Sequence, residues 1–306
     1  MGPYDAPTVI KTELFAEMPA KFAKAGSHPG KVGARYARPQ TDVDFYIEGP
    51  AFDRNGNLFF TDVPHGRIFR MTPGGETDLA AEYDGEPNSL KIHKDGRIFI
   101  ADYRHGIVLL DPKTGAIGPW GDLRPAESFK GLNDLVFASN GDLYFTDQGK
   151  TGLHDPTGRV YRFTAAGNLQ ALIETLPGPN GLVLDPAGKI LYVGSRANAI
   201  WWQPLHDSRP TGRVGTFATM TGFGTPDGMA ADEAGNILCV QHNMGVVWGF
   251  NRIGLPIWRI ETCTTDKLTN LAYGGPQRRD LYILDGNGKI LVARMPTPGL
   301  TMYSHM

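Results

Sequence analysis

Six polar residues recur at one place in a repeating stretch of the chain: Glu48, Asn88, Asn133, Asn180, Asp227 and Asn270. Their side-chain oxygens, if brought to one point, suit a hard divalent cation. Calcium takes roughly six to eight oxygen ligands and accepts neutral oxygens beside charged ones. Glu48 and Asp227 supply two negative charges to balance such an ion. Asparagine adds oxygen without adding repulsion. No cysteine or histidine stands among the six, which disfavours zinc. Calcium is therefore the expected ion, with Mg2+, Mn2+ and Zn2+ as alternatives. A cation with open positions polarises a carbonyl and activates water.

These residues need a scaffold that aims them at one point, and the repeat supplies it. Gly131 to Asp147, GLNDLVFASNGDLYFTD, reads as a loop, a strand, an Asn140-Gly141 turn and a returning strand. The same unit surrounds Glu48, Asn88, Asn180 and Asp227, each eight residues before a turn glycine. Around Asn270 the turn is rebuilt. Neighbouring anchors are 40, 45, 47, 47 and 43 residues apart, the period of a repeat array. A third apolar strand follows each hairpin, as at Arg67–Met71 and Val246–Phe250, and a weaker fourth follows in five units. Four strands per repeat of this length predict a blade. The fold expected is all-β: a six-bladed β-propeller with four antiparallel strands per blade. The last unit ends in MPTPGLTMYSHM, a poor strand, so the N-terminal segment Val9–Phe15 is expected to complete that blade and close the ring. Each anchor is placed just ahead of its first strand, so all six converge on one mouth of the channel. Asparagine and aspartate also shape turns before strands, but that role does not account for six at one register.

The 306 residues are read as one propeller domain: 1–16 holding the closing strand, 17–44 a loop or lid, 45–295 the blades. Residues 17–44 are rich in Gly, Pro, Lys and Arg. A net charge of −2 gives no basic field for nucleic acid. No apolar run reaches spanning length and no signal-peptide region opens the chain, so a cytoplasmic protein without a membrane is expected. Two cysteines, Cys239 and Cys263, make no disulfide framework, and Cys239 sits in an apolar strand. Asp62, Asp102 and Asp147 end second strands, with Gly194 and Gln241 in the matching places of later units; hydrogen bonding to turn backbone is their expected task. His65, His105, His154 and His242 lie just beyond second strands. Trp201, Trp202 and Trp248 lie in third strands and are expected to pack between blades. No GxSxG, Walker A or zinc spacing occurs.

Five short motifs add a resemblance: EGP at Glu48–Pro50, ND at Asn133–Asp134, PNG at Pro179–Gly181, PDGM at Pro226–Met229 and TNLAYGG at Thr269–Gly275. Together they resemble the senescence marker protein/gluconolactonase/luciferin-regenerating-enzyme family of six-bladed propellers, over roughly Glu48 to Leu291. The resemblance implies a divalent metal held by Glu48, Asn180 and Asp227, with Asn133 reaching the metal or the substrate. It implies a lactonase that opens cyclic esters with metal-activated water, and Asp227 as general base. Asn88, Asp134, Tyr103, His105 and His242 are the further candidates for substrate contact. Asp134, His105 and His242 are also rival bases. Relatives acting on sugar lactones often carry arginine two residues before the ND asparagine. Gly131 stands there, which leaves room for a less polar or bulkier lactone lined by Tyr46, Tyr103, Phe223 or Met244. The expected partner is a small-molecule lactone. A propeller that binds without turnover, or one that hydrolyses another ester at the same metal, is the competing reading; two acids among the anchors favour the enzyme.

Overall fold

A computed structural model describes residues 5–24, 43–121, 128–206 and 209–306. Within them the chain forms six sheets arranged as the blades of a ring. Blade 1 runs Ile47–Phe52, Leu58–Asp62, Arg67–Met71 and Thr77–Glu82. Blade 3, built from the stretch on which the repeat was read, runs Leu132–Phe137, Leu143–Asp147, Gly158–Phe163 and Leu169–Leu176. The remaining blades begin at Pro87–Ile92, Pro179–Leu184, Pro226–Ala231 and Leu268–Gly274. First strands are the innermost and are almost wholly buried, whereas fourth strands are mostly exposed or partly buried. Apolar side chains of neighbouring blades interlock as separate packed clusters. Leu90, Ile98 and Val108 of blade 2 meet Ala51, Phe59 and Ile68 of blade 1. Trp202 and Trp248 pack into one such cluster and Trp201 into another. Cys239 is wholly buried, and burial pushes its thiol far above the usual range, so it behaves as an inert core residue.

Ring closure differs from the expected single strand Val9–Phe15. The segment divides at Thr12. Glu13–Glu17 pairs antiparallel with Lys289–Arg294 and is the fourth strand of blade 6. Thr8–Lys11 instead pairs in parallel with Pro256–Glu261 and adds a fifth strand to blade 5. Thr12 turns the chain between the two sheets: its hydroxyl donates to the Glu261 carbonyl and accepts from the Cys263 N–H, each at 3.0 Å. One short segment thus covers two blade edges. Of the proposed lid, residues 25–42 lie outside the described residues.

The C-terminal segment contributes no blade strand but crosses the far end of the channel. Gly299 bridges to Asp232 of blade 5, and Tyr303 stacks on Phe137 of blade 3 at 5.1 Å. Arg54 of blade 1 donates to the Ser304 and Met306 carbonyls at 2.7 Å. Behind this strap lies a mainly apolar cavity of about 150 Å³.

Candidate functional site

The anchors lie inside the first strands and not ahead of them. Glu48, Asn88, Asn133, Asn180 and Asp227 are second residues of their strands, and Asn270 is the third of its own. Pairing with the second strand slips at this place in every blade. A bulge re-aims one side chain without ending the strand. Threonines of second strands fix the bulged backbone from the blade before. Thr61 donates to the Asn88 carbonyl at 3.3 Å, and Thr146 to that of Asn180 at 2.8 Å.

The residue after the anchor sets how closely the blades approach. A Cβ at Gly49 would lie 2.3 Å from the Ser89 Cα, and Gly49 has φ +54°. At Gly181 it would lie 2.3 Å from the Asp227 carbonyl oxygen, and at Gly228 2.2 Å from the Asn270 side chain. The glycines of EGP, PNG and PDGM therefore have a physical cause: each lets one first strand pack against the next. Blades 2 and 3 carry Ser89 and Asp134 there instead, and the two hydrogen-bond across the boundary at 2.6 Å.

All six anchors and Asp134 are buried. Asn270 Nδ2 lies 3.1 Å from Glu48 Oε2 and 3.4 Å from Asp134 Oδ2, spanning two acids from blades on different sides of the ring. Burial raises the Glu48 carboxyl well above its usual range, and the charges of Asp227 and Asp134 raise it further. Glu48, Asp134 and Asp227 thus share one electrostatic site. His242 Nδ1 is 3.5 Å from Asp227 Oδ2 and donates to the Leu268 carbonyl at 2.7 Å. Asn133, Asn180 and Asn88 occupy the corresponding places in their blades. Among the described residues, no three acids, histidines or cysteines form a group able to hold an ion by themselves.

Other candidates stand elsewhere. His105 is exposed, and its Nε2 meets the Asp84 carbonyl at 2.7 Å. His154 is exposed, and His65 faces the Val43 carbonyl at 3.2 Å. Tyr103 is partly buried and packs over Gly131: a Cβ there would meet its ring at 2.4 Å, and the φ of +142° belongs to glycine. Tyr46 lies against Gly286. Phe223 is 86% exposed and Met244 is also exposed.

The second-strand acids have a different surrounding. Asp62 is gripped by Arg67 and accepts from the Tyr46 N–H at 2.8 Å. Asp147 takes Arg159 Nε at 3.0 Å and the N–H groups of Lys130 and Gly131. Asp102 accepts from Tyr83 Oη, at 2.7 Å, and from the Glu86, Arg104 and His105 N–H groups. Each ties the end of its second strand to the loop entering the same blade. In blade 4 the matching residue is Ser195 and not Gly194, because Ser195 is the one that pairs with Pro179. Asp285 holds the place in blade 6.

Two residues at the site escaped the sequence reading: Ser89, which partners Asp134, and Lys91. Lys91 Nζ lies 3.7 Å from Asp134 Oδ1 and donates to the Leu90 carbonyl at 3.1 Å. The repeat held the signal. Three residues after the anchor, other units carry Ala51, Val136, Val183 and Ala230, and blade 2 carries a lysine.

Residues 47–287 match the SMP-30/Gluconolactonase/LRE-like region, and the chain belongs to that family. A lactonase drp35 of Staphylococcus aureus is 29% identical over 243 residues, covering 76% of this chain and 74% of the relative. A gluconolactonase of Zymomonas mobilis is 29% identical over 282 residues, covering 78% and 79%. Among solved structures, a calcium-binding protein, regucalcin, from Agrobacterium tumefaciens superposes with a TM-score of 0.76 at 20% identity, covering 98% of this chain and 100% of that one. At that identity the likeness concerns the fold.

Proposed function

We propose that the protein is a hydrolase that opens a lactone with water at a divalent cation, calcium. The observation that carries this reading is the buried Asn270 amide lying 3.1 Å from Glu48 and 3.4 Å from Asp134, with the charges of Asp227 and Asp134 both raising the Glu48 carboxyl. The names of the lactonase and gluconolactonase relatives support the reaction, and the calcium-binding protein of like fold supports the ion.

The donor set fits a hard cation. Mutual repulsion and burial disfavour three ionised acids, and a positive ion in their midst offsets both. Glu48 and Asp227 would hold it, with Asn180 and Asn133 adding amide oxygens that complete a set the acids alone do not make. When bound, the cation lowers the cost of developing negative charge on the substrate carbonyl and acidifies water.

The chain's own groups do the rest. Asp227 accepts the proton of the attacking water at a carboxylate oxygen. His242, beside that carboxylate, limits the directions in which it can turn. Asn133 holds the ester or the water through its amide. Gly131, covered by the Tyr103 ring, stands where relatives acting on sugar lactones often carry arginine, so the substrate is a lactone less polar than a sugar lactone.

A panel of aliphatic and aromatic lactones, sugar lactones and aryl and phosphate esters, assayed with and without chelator, tests the reading. Turnover of lactones that chelation abolishes and calcium restores is expected. Hydrolysis confined to the other esters, or lactone turnover indifferent to chelation, overturns it.

A further inference from the structure

The second strands of blades 1, 2 and 3 end on acids that accept N–H groups of the loop entering the same blade. Blade 5 has Gln241 in that place, and the polarity reverses. Its amide nitrogen donates to the Thr221 carbonyl at 2.8 Å and to the Gly224 carbonyl at 3.1 Å. Its oxygen accepts from Trp248 Nε1 at 2.8 Å, so both ends of this buried amide are engaged. Asn198 of blade 4 grips the same loop from outside. Its backbone carbonyl accepts the Met220 N–H at 2.7 Å, and its side-chain amide donates to the Gly222 carbonyl at 3.2 Å. The His242 N–H donates to the Thr225 carbonyl at 2.9 Å and fixes the end of the loop.

Two glycines let this loop lie flat. Gly222 has φ +99°, and the Met244 methyl is 3.1 Å from where a Cβ would be. A Cβ at Gly224 would lie 2.2 Å from the His242 carbonyl oxygen and 2.5 Å from Met244 Cγ. Between the glycines stands Phe223, 86% exposed, more than any other large apolar side chain among the described residues. Met244, under the loop, is 44% exposed. A backbone fixed at so many points that holds a phenyl ring in water gains nothing for the fold from that ring. Its place is at the rim of the site. The loop rests on His242, whose ring is 3.5 Å from the Asp227 carboxylate. Phe223 precedes Asp227 by four residues, at most about 14 Å of chain.

We propose that Phe223 and Met244 form an apolar platform that binds a linear alkyl substituent of the substrate, so that the substrate class is a lactone carrying an aliphatic chain. This rests on the lactone reading above and deepens it. The ring and its carbonyl sit at the acids, and the chain leaves past His242 and lies on Phe223. That contact takes apolar surface of both partners out of water, whereas a hydroxylated substituent would lose water there and gain no partner. The platform is remote from the reacting carbonyl. Its binding energy is equal in the ground and transition states and therefore appears in KM.

The test assays full-length protein, with calcium present, on γ-butyrolactone, γ-octanolactone, γ-decalactone and γ-dodecalactone. In the original protein kcat/KM is expected to rise by about twofold or more per added methylene. Phe223→Ser is expected to raise KM for γ-decalactone by about tenfold or more, with a loss that grows along the series and kcat altered by less than about twofold. Phe223→Leu, apolar at the same place, is expected to stay within about threefold of the original. Met244→Gln is expected to show the same dependence on length at smaller amplitude. A flat profile in the original protein, or a Phe223→Ser loss equal at every length, overturns the proposal and leaves the lactone reading standing. So does sedimentation in which Phe223→Ser abolishes self-association while the length profile is unchanged, which makes the platform a contact between two copies. An original protein that opens none of the lactones overturns both.

Discussion

Asp62 and Glu48 lie on neighbouring strands of blade 1, and both are buried carboxylates. Asp62 is clasped by the guanidinium of Arg67 and by a backbone N–H. Glu48 has the Gly49 N–H, the Asn270 amide and the repulsion of two other acids. Blade 3 repeats the contrast: Asp147 is paired with Arg159, while Asp134 has hydroxyl, amide and a lysine 3.7 Å away. A buried acid with its own arginine fastens the fold. Buried acids gathered against one another are held there by the rest of the fold, at a cost to stability, and are the ones to expect at a working site.

The largest effect that would sharpen this contrast is on stability. Arg67→Met strands a wholly buried carboxylate, and breaking such a pair costs about 3–5 kcal/mol. Denaturant titration should show that loss, while the folded fraction keeps its turnover. A loss below about 1 kcal/mol would mean that Asp62 is not held by its partner.

Asp227→Asn should do the reverse. It removes repulsion, so the stripped protein should be no less stable than the original. Turnover should fall by at least ~10²-fold, the lower range of general-base assistance. Cation content has to be verified in the same sample. Near-normal turnover at full occupancy removes Asp227 as the base and moves the assignment to Asp134 or His242.

A smaller effect is expected from Glu48→Gln, which keeps the shape and deletes one charge. Cation affinity should drop by about tenfold or more, with turnover recovered at saturating ion. If equilibrium binding is unchanged, Glu48 does not face the cation.

The repeat exposed the ring because a period of about 45 residues, with one polar anchor per unit, belongs to few architectures. Blade strands were legible because hairpin turns and apolar runs are local features. Closure was harder. Val9–Phe15 reads as one strand, and only the two exposed sheet edges reveal that Thr12 splits it between blades. The anchors looked like residues ahead of a strand because a bulge interrupts the pairing, and bulges leave little local trace beyond the glycines. Asp134 was legible as part of a motif, but its company was not. That depends on Ser89 and Asn270, 45 and 136 residues away, meeting across the channel. Lys91 was missed because one lysine in a strand is ordinary until aligned units show alanine and valine in its place.

The smallest effect follows from the raised Glu48 carboxyl. Burial first, then Asp227 and Asp134, keep its proton bound in the folded state above the usual glutamate value of 4.5. The unfolded chain has already released that proton. Between those two values the folded state binds more protons than the unfolded, so this group makes stability fall as pH rises. Below the ordinary value both states are protonated, and the burial of a neutral Glu48 carries no such penalty. Chelated protein should therefore lose stability across that window, and Glu48→Gln, which has no proton to lose, should lack that part of the slope. The difference between the two stability profiles reports Glu48 together with the acids it interacts with, and cancels the groups away from the site. Saturating divalent cation should shrink the difference, because a positive ion favours the ionised carboxylate. Denaturant titrations of both proteins across a pH series, with chelator and then with calcium, provide the measurement. Parallel profiles in chelator would show that Glu48 does not feel the acids around it, and the distinction between its surroundings and those of Asp62 would lose its energetic basis.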